Sequence, residues 1–197
     1  MTTPDPVQGL VLAGGKSRRM GRDKALLRQN GSTQLQRTVG LLQRHVETVF
    51  VSARPDQADD EERRRYPQLI DRYDDMGPIA GILTALESNR NVAWLVVACD
   101  LPQVDDETID YLMRHRVLSH PFTAFRSSHD DLPEPLCAVY EPAALAVIRE
   151  FVDGGIVCPR KIMIRSDTNL LLQPNPAALE NVNTPEDLAR TGMRLSE

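Results

Sequence analysis

The run Ala93-Trp94-Leu95-Val96-Val97-Ala98-Cys99 is apolar at every position. A strand with one wet face alternates polar and apolar residues, so an unbroken run of this length reads as a central strand covered on both sides. The neighbouring stretches alternate in kind. Gly9-Leu10-Val11-Leu12 reads as a short buried strand, and residues 32–44 place Leu35, Val39 and Leu42 at helical spacing. Residues 46–53 read as a second strand, and Leu69-Ile70-Asp71 as a short third one ending in a carboxylate. A helix is predicted from the Gly77-Pro78 pair through Glu87, and another over residues 105–116 with Asp105 as its cap. Strands alternating with helices predict a three-layer α/β fold with a mostly parallel central sheet and helices on both faces. Further on, residues 122–125, 136–140 and 170–172 read as strands and residues 142–152 as a helix. The segment Asn183-Thr184-Pro185 opens a final helix, capped by Asn183 or Thr184.

At 197 residues, with no internal repeat or linker-like tract, the chain is expected to form a single domain over 1–197. A formal charge of −5 argues against a general nucleic-acid binder. No apolar run approaches the roughly 20 residues that span a bilayer. The polar, proline-bearing residues 1–8 do not resemble a signal peptide, so a cytoplasmic location without a membrane partner is expected. The three cysteines, Cys99, Cys137 and Cys158, show no C-x-x-C pair and no zinc spacing. Cys99 and Cys137 sit in apolar runs and read as core residues, whereas His45 and His115 read as exposed helical residues. Residues 55–65 are densely charged and read as solvated surface.

The chemistry concentrates after the first strand, in Leu12-Ala13-Gly14-Gly15-Lys16-Ser17-Arg18-Arg19-Met20-Gly21-Arg22-Asp23-Lys24. Gly14 and Gly15 let the backbone turn tightly and approach a ligand, and successive free N–H groups in such a turn form an anion-binding concavity. Three arginines and two lysines add positive charge where a polyphosphate would lie. The spacing is neither G-x-x-x-x-G-K-[ST] nor G-x-G-x-x-G. It reads as a phosphate cradle of another kind.

Gly14, Asp71 and Asp100 all follow predicted strand ends, the edge at which ligands bind in such sheets. Asp100, at the exit of the central strand, suits Mg²⁺, which takes one or two carboxylates together with substrate phosphates and water. Asp71 reads as a nucleotide contact or the partner of a loop cation. The segment Gly77-Pro78-Ile79-Ala80-Gly81-Ile82 would present free N–H groups at a helix start or simply form a tight turn.

The loop resembles the opening L-A-G-G-x-S-x-R-M-G-x-D-K of the molybdenum cofactor guanylyltransferases, matching at Leu12, Ala13, Gly14, Gly15, Ser17, Arg19, Met20, Gly21, Asp23 and Lys24. The resemblance runs from about Gly9 to about Arg190 and implies a Rossmann-like nucleotidyltransferase fold. It also implies that Asp100 binds Mg²⁺ and nucleotide, and that Leu12, Ala13, Gly14, Gly15, Lys24, Asp71, Gly77 and Pro78 belong to the nucleotide site. Cytidylyl-transferring relatives tend toward L-A-A-G, so Gly15 and the Gly77–Ile82 segment favour GTP over CTP. The family often carries an asparagine just after its second strand. Here the chain reads Ser52-Ala53-Arg54, and no site role is assigned to these residues.

The implied reaction is guanylyl transfer from GTP to molybdenum-bound molybdopterin with release of pyrophosphate, in the service of a molybdoenzyme or its chaperone. Arg19 and Lys24 would offset charge on the transferring group and on pyrophosphate. Arg160 and Lys161 read either as the residues that hold the acceptor phosphate or as a basic helix terminus, and Asn183, in a late N-x-N-T-P segment, is the third acceptor-side residue. The alternatives are a cytidylyltransferase acting on the same pterin, a sugar-phosphate nucleotidyltransferase, and a non-catalytic nucleotide-binding partner of a molybdoenzyme.

Overall fold

The computed structural model describes residues 6–15, 23–29 and 31–180. The apolar run forms β6 (Ala93–Ala98), buried at every position. Its side chains alternate between the two faces of the sheet. Ala93, Leu95 and Val97 join one core with Leu35, Val39 and Leu42 of α1 (Gln34–Leu42) and Ile109 and Leu112 of α3 (Asp106–Arg114). Trp94 and Val96 join a second core with Ile79, Ile82, Leu83 and Leu86 of α2 (Pro78–Ser88), Ile148 of α4 (Ala144–Asp153) and Ile162 of α5 (Pro159–Ile164). The two cores require the unbroken apolar pattern, since each fully buried Leu, Ile or Val contributes roughly 1.5–3 kcal/mol.

The sheet has seven strands, in the order β5-β4-β1-β6-β8-β7-β9. The strands not yet placed are β1 (Val7–Leu12), β4 (Val49–Ala53), β5 (Gln68–Ile70), β7 (Phe122–Arg126), β8 (Pro133–Tyr140) and β9 (Thr168–Leu171). A separate two-stranded ribbon pairs β2 (Arg28–Gln29) with β3 (Ser32–Thr33). The neighbours β5-β4-β1-β6 are parallel, which puts the loops that follow them along one edge. Only β8 runs against its neighbours β6 and β7, and β7 pairs in parallel with β9. The sheet is thus mixed but mostly parallel, with helices on both faces as expected from the sequence.

The caps explain where two helices begin. Thr33 and Gln36 form a reciprocal capping box at α1, and Asp105 accepts from the Thr108 N–H at α3. Cys99 and Cys137 are buried, as expected. His115 is exposed as well, but His45 is not on a solvated face. It lies beyond α1 with its side chain only 9% exposed, between the carboxylates of Asp106 and Asp110. Residues 55–65 also depart from the sequence reading. Two short 3-10 turns fold this stretch back so that Glu62 and Arg63 are buried. No described helix is long and apolar enough to cross a membrane.

Candidate active site

A cleft of about 920 Å³ opens at the ends of β1, β4, β5 and β6. Leu12, Ala13, Gly14, Gly15, Lys24, Asp71, Gly77, Pro78 and Asp100, all expected from the sequence, line it together. The parallel sheet is the reason. Ala13 follows β1, Asp71 follows β5 and Asp100 follows β6, so chain segments far apart in sequence exit side by side. Arg19 and Asn183 lie outside the described residues.

Gly14 is where the strand exits crowd. A Cβ there would stand 3.3 Å from Asp71 Oδ2 and 3.5 Å from Arg54 Cγ, tight enough that a neighbour would have to give way. Gly15 differs, since a Cβ on it meets no described atom within 4 Å. A side chain at the first glycine would crowd Asp71 and Arg54, whereas one at the second would meet none of the described residues. Lys24 opens a 3-10 turn, Lys24–Leu26, that Asp23 caps by accepting from the Ala25 N–H at 3.0 Å.

Asp71 is held by Ser52, whose hydroxyl donates to Oδ1 at 2.7 Å. Burial pushes the Asp71 carboxyl above its usual range, while the Ser52 hydrogen bond and the Arg54 charge pull the other way. The next residues fold onto α2. The Arg72 N–H donates to Thr84 Oγ1 at 3.1 Å, and the Tyr73 hydroxyl donates to Glu87 Oε1 at 2.7 Å. Gly77 then turns the chain into α2 with φ 65° and ψ −147°, a backbone region that is almost exclusively glycine's. Pro78 takes the first helical turn, so the start of α2 lies in the cleft wall.

Asp100 combines two features. Its Oδ1 is buried with no hydrogen-bond partner among the described residues. Burial also raises its carboxyl above the usual range, while the Lys24 charge and its own backbone N–H lower it. An orphaned carboxylate oxygen is costly unless a cation or a proton compensates it. Among the described residues no three His, Cys, Asp or Glu side chains gather as a metal cage. The orphaned Asp100 carboxylate fits Mg²⁺, which is held by one or two carboxylates and completed by phosphate oxygens and water.

Asp23, in the sequence only a matched motif position, Ser52 and Arg54, which have no role assigned from sequence, and Tyr73, which sequence reasoning passes over, all line the cleft. Ser52 and Arg54 sit where the family often carries asparagine, and that was the only signal for them. Arg54 donates from Nη1 to the Gly14 carbonyl and forks onto Asp56 at 2.8 and 2.9 Å.

A second cavity, about 460 Å³, shares Asp75, Met76, Gly77, Pro78 and Leu136 with the cleft. Arg160 lines it, but its guanidinium forks to Glu134 Oε2 at 2.8 Å and Asp130 Oδ2 at 3.1 Å. Lys161 is exposed and is not part of the cavity lining. The fold therefore separates this expected pair, leaving one cation at the cavity with its charge offset and the other outside.

A family model described as the MobA-like NTP transferase domain matches residues 9–168, a span that includes every cleft-lining residue. The chain belongs to the MobA-like NTP transferase family. This family member is 30% identical to the molybdenum cofactor guanylyltransferase of Pseudomonas fluorescens, over 93% of its own length and 92% of the relative's. It is 40% identical to the molybdenum cofactor biosynthesis bifunctional protein of Synechocystis over 92% of the chain, but spans only 52% of that longer protein. Among solved structures it superposes on the molybdopterin-guanine dinucleotide biosynthesis protein A of Archaeoglobus fulgidus with a TM-score of 0.77. That match covers 93% of this chain and 95% of the other at 23% identity, and establishes the shared fold.

Proposed function

We propose that the chain transfers the guanylyl group of GTP to molybdenum-bound molybdopterin, giving the guanine dinucleotide form of the cofactor and pyrophosphate. The observation that carries this reading is the convergence of the Gly14-Gly15 turn, Lys24, Asp71, Asp100 and the Gly77-Pro78 helix start on one cleft. The likeness to the Pseudomonas fluorescens molybdenum cofactor guanylyltransferase, aligned over nearly its full length, supplies the choice of substrates.

In this reading the backbone N–H groups of Gly14 and Gly15 hold phosphate oxygens, and Lys24 offsets negative charge on the transferring group and the departing pyrophosphate. Arg19 belongs to the same loop by sequence. Asp100 would hold Mg²⁺, which when bound neutralises phosphate charge and orients the triphosphate. The attacking oxygen is that of an acceptor phosphate and is already anionic, so no side chain has to remove a proton from it. Consistent with this, no histidine lines the cleft among the described residues. Catalysis then comes from positioning and charge stabilisation.

The second cavity takes the acceptor, because it opens onto the cleft across Asp75–Pro78 and Leu136. Arg160 stands at that cavity as the acceptor-side cation, with Glu134 and Asp130 fixing its direction. One continuous sheet walls both cavities, which supports a single catalytic domain. The reaction is placed in the cytoplasm, where GTP is made, with a molybdoenzyme or its chaperone receiving the product.

The test is pyrophosphate release from the purified chain with GTP, Mg²⁺ and molybdenum-loaded molybdopterin. Release that requires all three supports the reading, and release without the pterin acceptor contradicts it.

A further inference from the structure

Arg63 lies in the densely charged run Arg63-Arg64-Arg65, yet it is 1% exposed while Arg64 and Arg65 are exposed. Its Nη2 donates to the Ala13 carbonyl at 2.7 Å and to Asp23 Oδ2 at 2.6 Å, and its Nη1 stands 3.2 Å from Asp60 Oδ1. Ala13 and Asp23 lie on the two stems of the Gly14-Gly15 loop, one just before the glycines and one just before Lys24. Asp23 is itself the cap, through Oδ1, that sets the turn carrying Lys24, and Gln57 Nε2 adds a 3.3 Å contact to Oδ2, the oxygen that Arg63 binds.

We infer that Arg63 is a positioning residue that ties the two stems of the phosphate loop together and thereby fixes where Lys24 stands. The inference rests on reading that loop as the phosphate site. Gly14 and Gly15 carry no side chain that could anchor the stem that Ala13 ends. A planar guanidinium has several donors at fixed angles, so it can bind a carbonyl and two carboxylates at once in one geometry. The burial of the guanidinium stiffens the clamp, because water has little access to the donors that make these contacts. Arg63 lines neither cavity, so it acts through Ala13 and Asp23 and does not touch the nucleotide.

The test compares the parent chain with Arg63→Met, Arg63→Lys and Asp23→Asn by amide hydrogen exchange without ligand and by steady-state turnover with GTP. In Arg63→Met, exchange should quicken by roughly tenfold or more in peptides covering 9–15 and 23–29, with β6 and β8 peptides unchanged. Its kcat should fall by about 10- to 100-fold, more than the KM for GTP rises, because a misplaced Lys24 costs orientation first. Arg63→Lys should recover part of kcat. Should Arg63→Met not fold, Arg63→Lys and Asp23→Asn weaken the same contact and decide the matter by the same two readouts. Unchanged exchange at both stems overturns the inference, and so does exchange that rises evenly through β6 and β8 with kcat per folded molecule intact. If the parent turns over no GTP at all, the guanylyl-transfer reading fails, and the exchange comparison alone still decides whether Arg63 clamps the loop.

Discussion

Ser52 Oγ donates a 2.7 Å hydrogen bond to Asp71 Oδ1, and a Cβ on Gly81 would overlap that same hydroxyl. The close approach of α2 to the end of β4 therefore sets the position of Asp71 in the cleft. Gly81→Ala must push Ser52, or α2, out of place. It is expected to lower the unfolding free energy by about 1–3 kcal/mol, the usual cost of overpacking a tight site. Gly15→Ala, whose Cβ would meet no described atom within 4 Å, should stay within about 0.5 kcal/mol of the parent. Urea unfolding of both variants checks the pair, and equal stability of the two would show that α2 and β4 have room to separate.

Asp71→Asn should separate stability from function. Burial holds the folded-state carboxyl above its usual range, so at neutral pH the charged form costs the folded chain stability relative to the unfolded chain. The amide keeps an acceptor for Ser52 but carries no charge. Without ligand at pH 7, the variant's melting temperature should match or exceed the parent's, and the difference should shrink as pH falls and the parent's carboxyl protonates. Binding of GTP should weaken at the same time. A clear drop in melting temperature would mean that the ionised carboxylate is a net stabiliser.

Much of this cleft was legible in the sequence. Gly14, Asp71 and Asp100 each close a strand-like run, and a parallel sheet brings such strand exits to one edge whatever their separation along the chain. Arg63 was not legible, because its contacts to Asp23 and Ala13 lie 40 and 50 residues away and it is followed by two exposed arginines of the same type. Local charge density signals a solvated surface, and only the tertiary fold shows which arginine turns inward. The reversal of β8 was likewise hidden, since alternation of apolar residues does not encode strand direction. Arg160 looked like an available cation because Asp130 and Glu134 come to it only through the pairing of β7 with β8 and the packing of α5 on β8.

Glu87 links the cleft wall to α4. Its side chain is 7% exposed, and it receives the Tyr73 hydroxyl and Arg149 at 2.7 and 2.8 Å. Burial works to raise its pKa, but the hydrogen bonds from Arg149 and Tyr73 outweigh it and hold the carboxyl below its ordinary value of 4.5. The folded pKa is thus below the unfolded one, so the stability that Glu87 contributes is present above pH 4.5 and is lost as pH falls through the folded value. Glu87→Gln should cost about 1–2 kcal/mol at pH 7 and flatten the acid limb of the stability curve below about pH 4.5. Unfolding titrations from pH 7 to 3 provide the check. An acid limb as steep as the parent's would assign the acid sensitivity to other carboxylates.

Lys24→Ala should reduce turnover by about 10²–10³-fold, as when one preorganised charge-stabilising donor is removed. Its effect on unfolding free energy should be within about 0.5 kcal/mol, because the side chain lines a cleft and is not part of either core. Asp100→Asn should need far more Mg²⁺ for whatever activity survives. A Mg²⁺ titration that superposes on the parent's would place the metal elsewhere.

The central claim, guanylyl transfer, is tested most directly by competition. The purified chain is given equal concentrations of GTP and CTP with Mg²⁺ and limiting molybdenum-loaded molybdopterin, and the dinucleotide product is hydrolysed to identify its base. A site that hydrogen-bonds the edge of one base leaves buried polar groups unpaired with the other, so guanine should exceed cytosine by at least about 100-fold. A product containing equal or greater amounts of cytosine would contradict the account.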